Sequence, residues 1–248
     1  MKKILNAISY KLGFRLLSLN SPLTNAFKAQ KYLINRANPI IFDVGAHEGE
    51  TSLLYQENFN NPFIYSFEPF LPSFEKLKDS LRPFPNIKVF NTALSDFTGH
   101  VDFHINKSSA TNSILPTSMD GKKNWEGNML DTIDTIKVDS MTIDDFLENF
   151  GIETIDILKI DTQGTEYEVI EGAAKSMEQN RIKIIYLEII IASTYKSQKH
   201  PDEIFLLLRN KGFRLFNFYN YTYSGKGELK QVDALFINNE FDLPDRNF

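Results

Sequence analysis

A chain of 248 residues, 42% of them hydrophobic, can bury a full core, and its length fits one large α/β domain. The formal net charge of -5 gives no overall positive field that would attract nucleic acid, so we expect no nucleic-acid partner. The sequence contains no cysteine, which excludes a disulfide framework, a thiolate nucleophile and any cysteine zinc site, and which fits a cytoplasmic protein.

Residues 1–38 are predicted to form a helical extension ahead of the main domain at residues 39–248. From Ile4 to Leu17 apolar residues recur with a helical period, and every charged residue at positions 2–19 is positive. This pattern predicts a basic amphipathic helix, which we expect to dock on the domain or on a second subunit of a homo-oligomer. The alternative is peripheral contact of this helix with the inner membrane surface. A second helix is predicted at Leu23–Ile34.

After residue 38, short apolar strands alternate with helical segments, which is typical of a mostly parallel sheet with helices on both faces. Seven strands are predicted, at Ile40–Val44, Phe63–Phe67, Ile87–Asn91, Ile155–Ile160, Ile182–Glu188, Phe213–Phe218 and Val232–Ile237. Five helices are predicted between them, at Glu50–Glu57, Leu71–Ser80, Thr142–Asn149, Tyr167–Met177 and Pro201–Lys211. The polar residues 104–136 interrupt this alternation, so we expect an inserted loop there that acts as a lid.

The turn after the first strand is the first candidate binding element. Asp43 ends the strand, and Gly45 and Gly49 form a G-x-x-x-G turn in which the backbone can approach a ligand closely. A dinucleotide site would need a further glycine in a G-x-G-x-x-G turn, and the Asp43 carboxylate would repel a pyrophosphate. The turn therefore favours a phosphate-free nucleoside such as adenosylmethionine, with an ordinary strand-to-helix turn as the structural alternative.

Two further motifs follow the next two predicted strands. Glu68 lies 25 residues after Asp43, at a strand end where a carboxylate can accept both ribose hydroxyls. Ala93, Leu94 and Asp96 follow the third strand, where the edge of an adenine ring would lie. An exposed loop glutamate and ordinary turn chemistry are the respective alternatives.

The fourth motif is a buried strand that ends in polar residues. Lys159 and Asp161 alternate with apolar residues, so both side chains project from one face near the carboxyl end of the strand. Ligands of open α/β sheets bind at that edge. A purely structural ion pair between Lys159 and Asp161 is the alternative.

In this order, the motifs resemble the FkbM family of methyltransferases from about Ile40 to Ile237. The matching strings are D-V-G-A-H-E-G-E-T-S at 43–52, F-E-P at 67–69, A-L-S-D at 93–96, S-I-L-P at 113–116 and I-D-I-L-K-I-D-T-Q-G-T-E at 155–166. The resemblance implies a class I methyltransferase Rossmann-like fold with a seven-stranded, mostly parallel sheet. It also implies S-adenosyl-L-methionine as cofactor and methyl transfer to oxygen on a sugar, polysaccharide or other small hydroxylated molecule.

The resemblance assigns residues to both ligands. By motif match, the cofactor-binding residues are Asp43, Gly45, Ala46, His47, Gly49, Thr51, Ser52, Glu68, Pro69, Ala93, Leu94, Asp96 and Asp161. The residues expected to bind the acceptor are Ser113, Gln163, Glu166 and His200.

Methyl transfer to a hydroxyl needs an aligned acceptor and a group that removes its proton. The candidate bases are Asp161, Glu188 and His47, with Glu166 and His200 also considered. Asp161 is favoured as base or as metal ligand, because it and Glu188 end neighbouring strands and two carboxylates can hold a divalent cation such as Mg²⁺. The equal alternative is that the two carboxylates only orient substrate hydroxyls.

Two other functions compete with this interpretation. An NAD(P)-dependent oxidoreductase would share the strand, turn and ribose acid. The missing middle glycine and the expected lack of a Tyr-x-x-x-Lys catalytic pair disfavour it. A non-catalytic adenosylmethionine-binding module that recruits partners through the N-terminal helix is the second alternative.

Overall fold

A seven-stranded sheet runs through the molecule in the computed structural model, which describes residues 21–22 and 24–242. Its strands, in spatial order, are β3 (Ile87–Phe90), β2 (Phe63–Phe67), β1 (Ile40–Val44), β7 (Ile155–Ile160), β8 (Ile182–Ile190), β10 (Leu229–Asn238) and β9 (Phe213–Tyr223). The neighbours from β3 to β8 pair in parallel, whereas β10 is antiparallel to both β8 and β9. This order with one reversed strand is the class I methyltransferase Rossmann-like fold, which confirms the predicted fold class.

Eight helices lie within the described residues, and their bounds are α1 (Ala26–Leu33), α2 (Glu50–Asn58), α3 (Leu71–Leu81), α4 (Met119–Asn124), α5 (Ile143–Phe150), α6 (Glu166–Glu171), α7 (Ala174–Glu178) and α8 (Pro201–Asn210). The helix predicted at Tyr167–Met177 is in fact two helices. They separate near Gly172, where an added Cβ would lie 2.0 Å from the Ser95 carbonyl oxygen. The chain bends there because its backbone contacts another segment directly.

The predicted loop at residues 104–136 overlaps one end of each of two strands in a second sheet, which was not predicted. This sheet, in the order β4-β6-β5, joins β4 (Ala93–Leu94), β6 (Thr132–Met141) and β5 (Gly99–Asn106). Only one face of β5 is buried, through Val101, Phe103 and Ile105, which pack with Ala93 and Val138. The polar residues of the other face made the segment look like a loop.

The main sheet separates two apolar layers. One contains a group of aromatic rings, in which Phe146 meets Phe67 edge-on at 4.8 Å between ring centroids and Phe90 at 4.9 Å. The other layer lies beneath α1 and α2. Both layers hold the parallel strands in register, so β1, β2, β7 and β8 end at the same edge of the sheet.

Helix α1 begins at Ala26 rather than at the predicted Leu23, because the Asn25 side chain accepts from the Lys28 backbone N–H at 3.0 Å and caps it. Its buried face packs beneath the main sheet, where the Tyr55 hydroxyl donates to Gln30 Oε1 at 2.9 Å. The amphipathic helix predicted at Ile4–Leu17 lies outside the described residues. The domain division at residue 38 therefore stays a prediction. No helix in the described part of the chain is long and apolar enough to cross a bilayer.

The aromatic layer should control stability. Replacing Phe146, which is 1% exposed, with alanine is expected to lower the free energy of unfolding by about 3–5 kcal/mol, because a buried ring leaves a cavity. Chemical denaturation measures this loss. The matched control is Phe97→Ala, since Phe97 is 45% exposed and its truncation should change stability by about 0.5 kcal/mol or less. Equal losses for the two variants would contradict the assigned packing.

Candidate active site

A cleft of about 230 Å³ opens at the carboxyl edge of β1, β2 and β7, where ligands of open α/β sheets bind. The sequence-predicted residues that line it are Gly45, Ala46, His47, Thr51, Glu68, Pro69, Ala93, Leu94, Asp161 and Gln163. Four residues that were predicted to bind the cofactor do not line the cleft, namely Asp43, Gly49, Ser52 and Asp96.

The turn after β1 is pressed against the end of β7. Gly45 has φ +74°, and an added Cβ would lie 1.8 Å from the Asp161 carbonyl oxygen. Gly49 has φ +102° and faces Leu77 and Leu81 of α3. Chain packing and the positive φ angles therefore require both glycines. Gly45 also lines the cleft, so the close approach of its backbone to a ligand stays a prediction.

A buried ion pair lies directly behind this turn. Lys159 Nζ is 2.9 Å from Asp43 Oδ1 and donates to the Gly45 carbonyl oxygen at 2.9 Å. Burial alone would lower the Lys159 pKa, but the carboxylates of Asp43 and Asp161 outweigh it and the pKa is raised. The distance from Lys159 Nζ to Asp161 Oδ2 is 3.9 Å, so the main partner of Lys159 is Asp43 rather than the predicted Asp161.

Asp43 is fully buried, and its second oxygen also has a partner. Ser52 Oγ donates to Asp43 Oδ2 at 2.6 Å and lies 2.7 Å from Ser66 Oγ. These contacts join β1, β2 and the first turn of α2 beneath the cleft. Asp43 and Ser52 thus support the turn from behind.

Glu68 lines the cleft and is held in place by the backbone. Its Oε2 accepts from the His47 N–H at 3.0 Å and its Oε1 accepts from the Phe70 N–H at 2.9 Å. Burial raises the pKa of Glu68 to about 7, although both backbone bonds favour the charged form. Each oxygen retains a lone pair, so the carboxylate can accept two vicinal hydroxyls.

An apolar slot adjoins Glu68. Ala93 and Leu94 line it from β4, Phe103 lines it from β5, and Ile114 lines it from the segment that was predicted as a loop. The alternation of Val101, Phe103 and Ile105 was the signal that could have revealed Phe103. Asp96, predicted to face adenine, is exposed and accepts from Ser95 Oγ at 3.0 Å.

Three polar residues meet at the ends of β7 and β8. Gln163 Nε2 donates to Asp161 Oδ1 and to Glu188 Oε2, both at 2.9 Å, and its Oε1 accepts from the Tyr195 hydroxyl at 3.0 Å. The expected convergence of Asp161 and Glu188 is therefore present. Burial, followed by the charge of Asp161, raises the Glu188 pKa well above its usual range.

The side-chain amide of Gln163 disfavours the predicted Mg²⁺ site between Asp161 and Glu188. Its N–H group lies where a cation bridging the two carboxylates would need oxygen ligands. Among residues 21–22 and 24–242, no group of three or more His, Asp or Glu side chains is arranged to hold a metal ion. The contacts of Asp161 and Glu188 suit proton or hydroxyl chemistry better than Mg²⁺ binding.

The remaining predicted residues differ in their placement. His47 Nε2 lies 2.9 Å from Ser109 Oγ across the cleft. Ser113 Oγ donates to the Gln163 carbonyl oxygen at 2.7 Å, and Glu166 is buried and accepts from the N–H groups of the turn before it. His200 caps α8, contacts Asp202 and lies outside the cleft lining, so the geometry gives no support for its predicted contact with the acceptor.

The expectation that the sequence has no Tyr-x-x-x-Lys pair was wrong, because Tyr195 and Lys199 have the spacing found in some oxidoreductases. They lie in a loop rather than on one helix. Lys199 Nζ is 5.0 Å from the Tyr167 ring centroid and pairs with Glu203, whereas the Tyr195 hydroxyl contacts Gln163. The two side chains have separate partners and form no catalytic pair.

Comparison with known proteins decides the family. The methyltransferase FkbM domain matches residues 43–215. The chain belongs to the FkbM methyltransferase family. As a member, it is an S-adenosylmethionine-dependent methyltransferase.

Three proteins are similar to this chain at low sequence identity. The 2-O-methyltransferase NoeI of Sinorhizobium fredii is 24% identical over 172 residues, covering 67% of this chain and 69% of NoeI. Methyltransferase sdnD of Sordaria araneosa is 25% identical over 198 residues, covering 71% of this chain and 74% of sdnD. The fibrillarin pre-rRNA processing protein of Methanococcus jannaschii superposes with a TM-score of 0.49 at 15% identity, covering 91% of this chain and 78% of that one.

The residues of the cleft fit the cofactor of this FkbM methyltransferase. Glu68 supplies two acceptors for ribose hydroxyls, and the apolar slot beside it suits a purine ring. Lys159 is the one lysine or arginine among the described lining residues, and it is already paired with Asp43. The cleft thus suits a nucleoside that carries no phosphate.

Cofactor affinity should depend on pH through Glu68. Hydroxyl donors stabilise the charged carboxylate, so binding is favoured above its pKa of about 7 and weakens as pH falls. Between pH 8 and pH 6 the Kd of S-adenosylhomocysteine should rise about tenfold by calorimetry. Glu68→Gln should bind more weakly at both pH values without this dependence. A wild-type Kd that stays constant across this range would contradict the role of Glu68.

Proposed function

We propose that this FkbM methyltransferase transfers the methyl group to a hydroxyl oxygen of a sugar or another small hydroxylated acceptor. The observation that carries the proposal is the joint placement of Asp161 and Glu188 by Gln163. Asp161 and Gln163 line the same cleft as Glu68. Methyl transfer to a hydroxyl needs a carboxylate at such a place, because an alkyl alcohol is a weak nucleophile until its proton is removed. NoeI is named a 2-O-methyltransferase, which is consistent with oxygen as the acceptor atom.

S-Adenosylmethionine, when bound, supplies a methyl group already activated on a sulfonium. The task of the protein is then to hold the two reactants in line and to exclude competing water. In the proposed arrangement Glu68 holds the ribose, Ala93 and Leu94 face adenine, and the turn at Ala46 and His47 faces the methionine portion.

Asp161 is the proposed proton acceptor. The acceptor oxygen forms a bond to the methyl carbon while the carbon–sulfur bond breaks, and the electron pair of that bond stays on sulfur. The hydroxyl proton passes to the Asp161 carboxylate, which leaves a neutral ether and a neutral thioether. Gln163 donates to Asp161 throughout, so the carboxylate keeps one orientation.

Glu188 is proposed to act beside Asp161 rather than instead of it. Its raised pKa favours the protonated form, in which one carboxyl can donate a hydrogen bond while the neighbouring Asp161 accepts one. Such a pair can hold a hydroxyl in a single orientation. The two carboxylates then share the work of orienting the hydroxyl and removing its proton.

Asp161→Asn tests the proposed base. Asparagine keeps an oxygen that can accept from Gln163, so the fold and the cleft should persist. Methyl transfer from labelled S-adenosylmethionine should fall by about 10²–10⁴-fold, because a general base is lost. The Kd of S-adenosylhomocysteine should change by about twofold or less.

The exposed Asp120 supplies the control, since Asp120→Asn removes a carboxylate whose nearest charge is Lys123 on the surface. This variant should retain wild-type turnover. Full turnover by Asp161→Asn with unchanged cofactor binding would exclude Asp161 as the base.

A further inference from the structure

A second cavity adjoins the cleft at its acceptor end. The two spaces share three lining residues, namely Thr51, Lys159 and Asp161. They therefore meet beside Asp161. We call the second space the side cavity, and its other polar residues are Tyr186, Glu188, Asn220 and Asp233. Its volume is about 200 Å³.

The charges that line the side cavity are mainly negative. Carboxylates enter it from β7, β8 and β10, through Asp161, Glu188 and Asp233. Lys159 is the one lysine or arginine among its described lining residues, and its charge is balanced by Asp43 at 2.9 Å. An anionic ligand would therefore place its charge beside the carboxyl groups of Asp161 and Asp233, whether or not Glu188 is protonated, and no unpaired lysine or arginine among these lining residues would offset it.

Asp233 provides an acceptor that the fold leaves open. The Tyr186 hydroxyl and Asn220 Nδ2 both donate to Asp233 Oδ2, the latter at 2.7 Å. No hydrogen bond to Asp233 Oδ1 is formed by the described residues, although burial raises the Asp233 pKa and so disfavours its charge. A donor from a ligand would satisfy this oxygen and stabilise the carboxylate.

The apolar part of the wall complements these acceptors. Phe27 and Leu54 contribute apolar surface beside the ring of Tyr186. Sugar units combine hydroxyl donors at their edges with apolar ring faces, so they match a space with carboxylate acceptors on some sides and aromatic surface on another.

We propose that the side cavity binds the unit to be methylated, and that this unit is a neutral or amino-bearing polyhydroxyl group rather than an anionic one. The inference rests on the proposed function, because it names the acceptor class of the same site. Asp161 then faces the cofactor cleft on one side and the acceptor on the other. Uronic acids and phosphorylated sugars are excluded by the carboxylates of the cavity.

The test uses full-length protein saturated with S-adenosylhomocysteine and three matched probes, namely a methyl hexopyranoside, its 2-amino analogue and the corresponding methyl hexuronide. Saturation-transfer NMR titrations report binding without requiring turnover. The neutral and amino probes should bind, and the hexuronide should bind at least about tenfold more weakly because it adds a like charge.

Asp233→Asn removes a carboxylate of the side cavity and keeps its two hydrogen bonds, because asparagine can still accept from Tyr186 and Asn220. In this variant the hexuronide should bind at most about threefold more weakly than the neutral probe, since one opposing carboxylate is gone. The Kd of S-adenosylhomocysteine should stay within about twofold of wild type, because Asp233 lies outside the cofactor cleft. The control Asp139→Asn removes an exposed carboxylate that pairs with His100 and should leave the discrimination unchanged.

The outcomes separate this inference from the proposed function. Equal binding of all three probes, no binding of the neutral and amino probes, or unchanged discrimination in Asp233→Asn would overturn the assignment of the side cavity. Each of these results leaves the proposed methyl transfer standing if S-adenosylhomocysteine still binds. A wild-type protein that does not bind S-adenosylhomocysteine would overturn both.

Discussion

The ion pair between Lys159 and Asp43 is the contact on which the active site depends. It joins the ends of β1 and β7 beneath the cleft, and Lys159 also holds the Gly45 carbonyl oxygen. A buried lysine or aspartate left without its partner is strongly destabilising, so neither residue tolerates loss of the other. With the turn fixed in this way, the His47 N–H meets Glu68 on one side and Asp161 lies against Gly45 on the other.

Contacts above the sheet link the cofactor end of the cleft to its acceptor end. The Tyr195 hydroxyl lies 3.0 Å from both the Thr111 carbonyl oxygen and Gln163 Oε1, and Gln163 holds Asp161 and Glu188. The segment that covers the cleft is thus connected to the proposed base through two side chains, Tyr195 and Gln163. Since side-chain networks of this kind orient their members jointly, the covering segment and the carboxylate pair are expected to respond together to a bound acceptor.

Sequence patterns predicted the main sheet well, because buried strands such as Ile155–Ile160 are predominantly apolar and lie between turns. The small sheet was missed because only one face of β5 is buried. Among the site residues, Glu68 and Asp161 could be placed from their positions at strand ends. Contacts between distant segments, such as Tyr195 with Gln163, have no signal in a single sequence, since tertiary packing alone brings them together.

A crystal structure with S-adenosylhomocysteine bound tests the central claim most directly. The account predicts that both ribose hydroxyls lie about 2.6–3.2 Å from the Glu68 carboxylate oxygens. It also predicts adenine beside Leu94 and Phe103, with the sulfur atom facing Asp161. A ribose bound elsewhere, with Glu68 contacting only the backbone of His47 and Phe70, would contradict it.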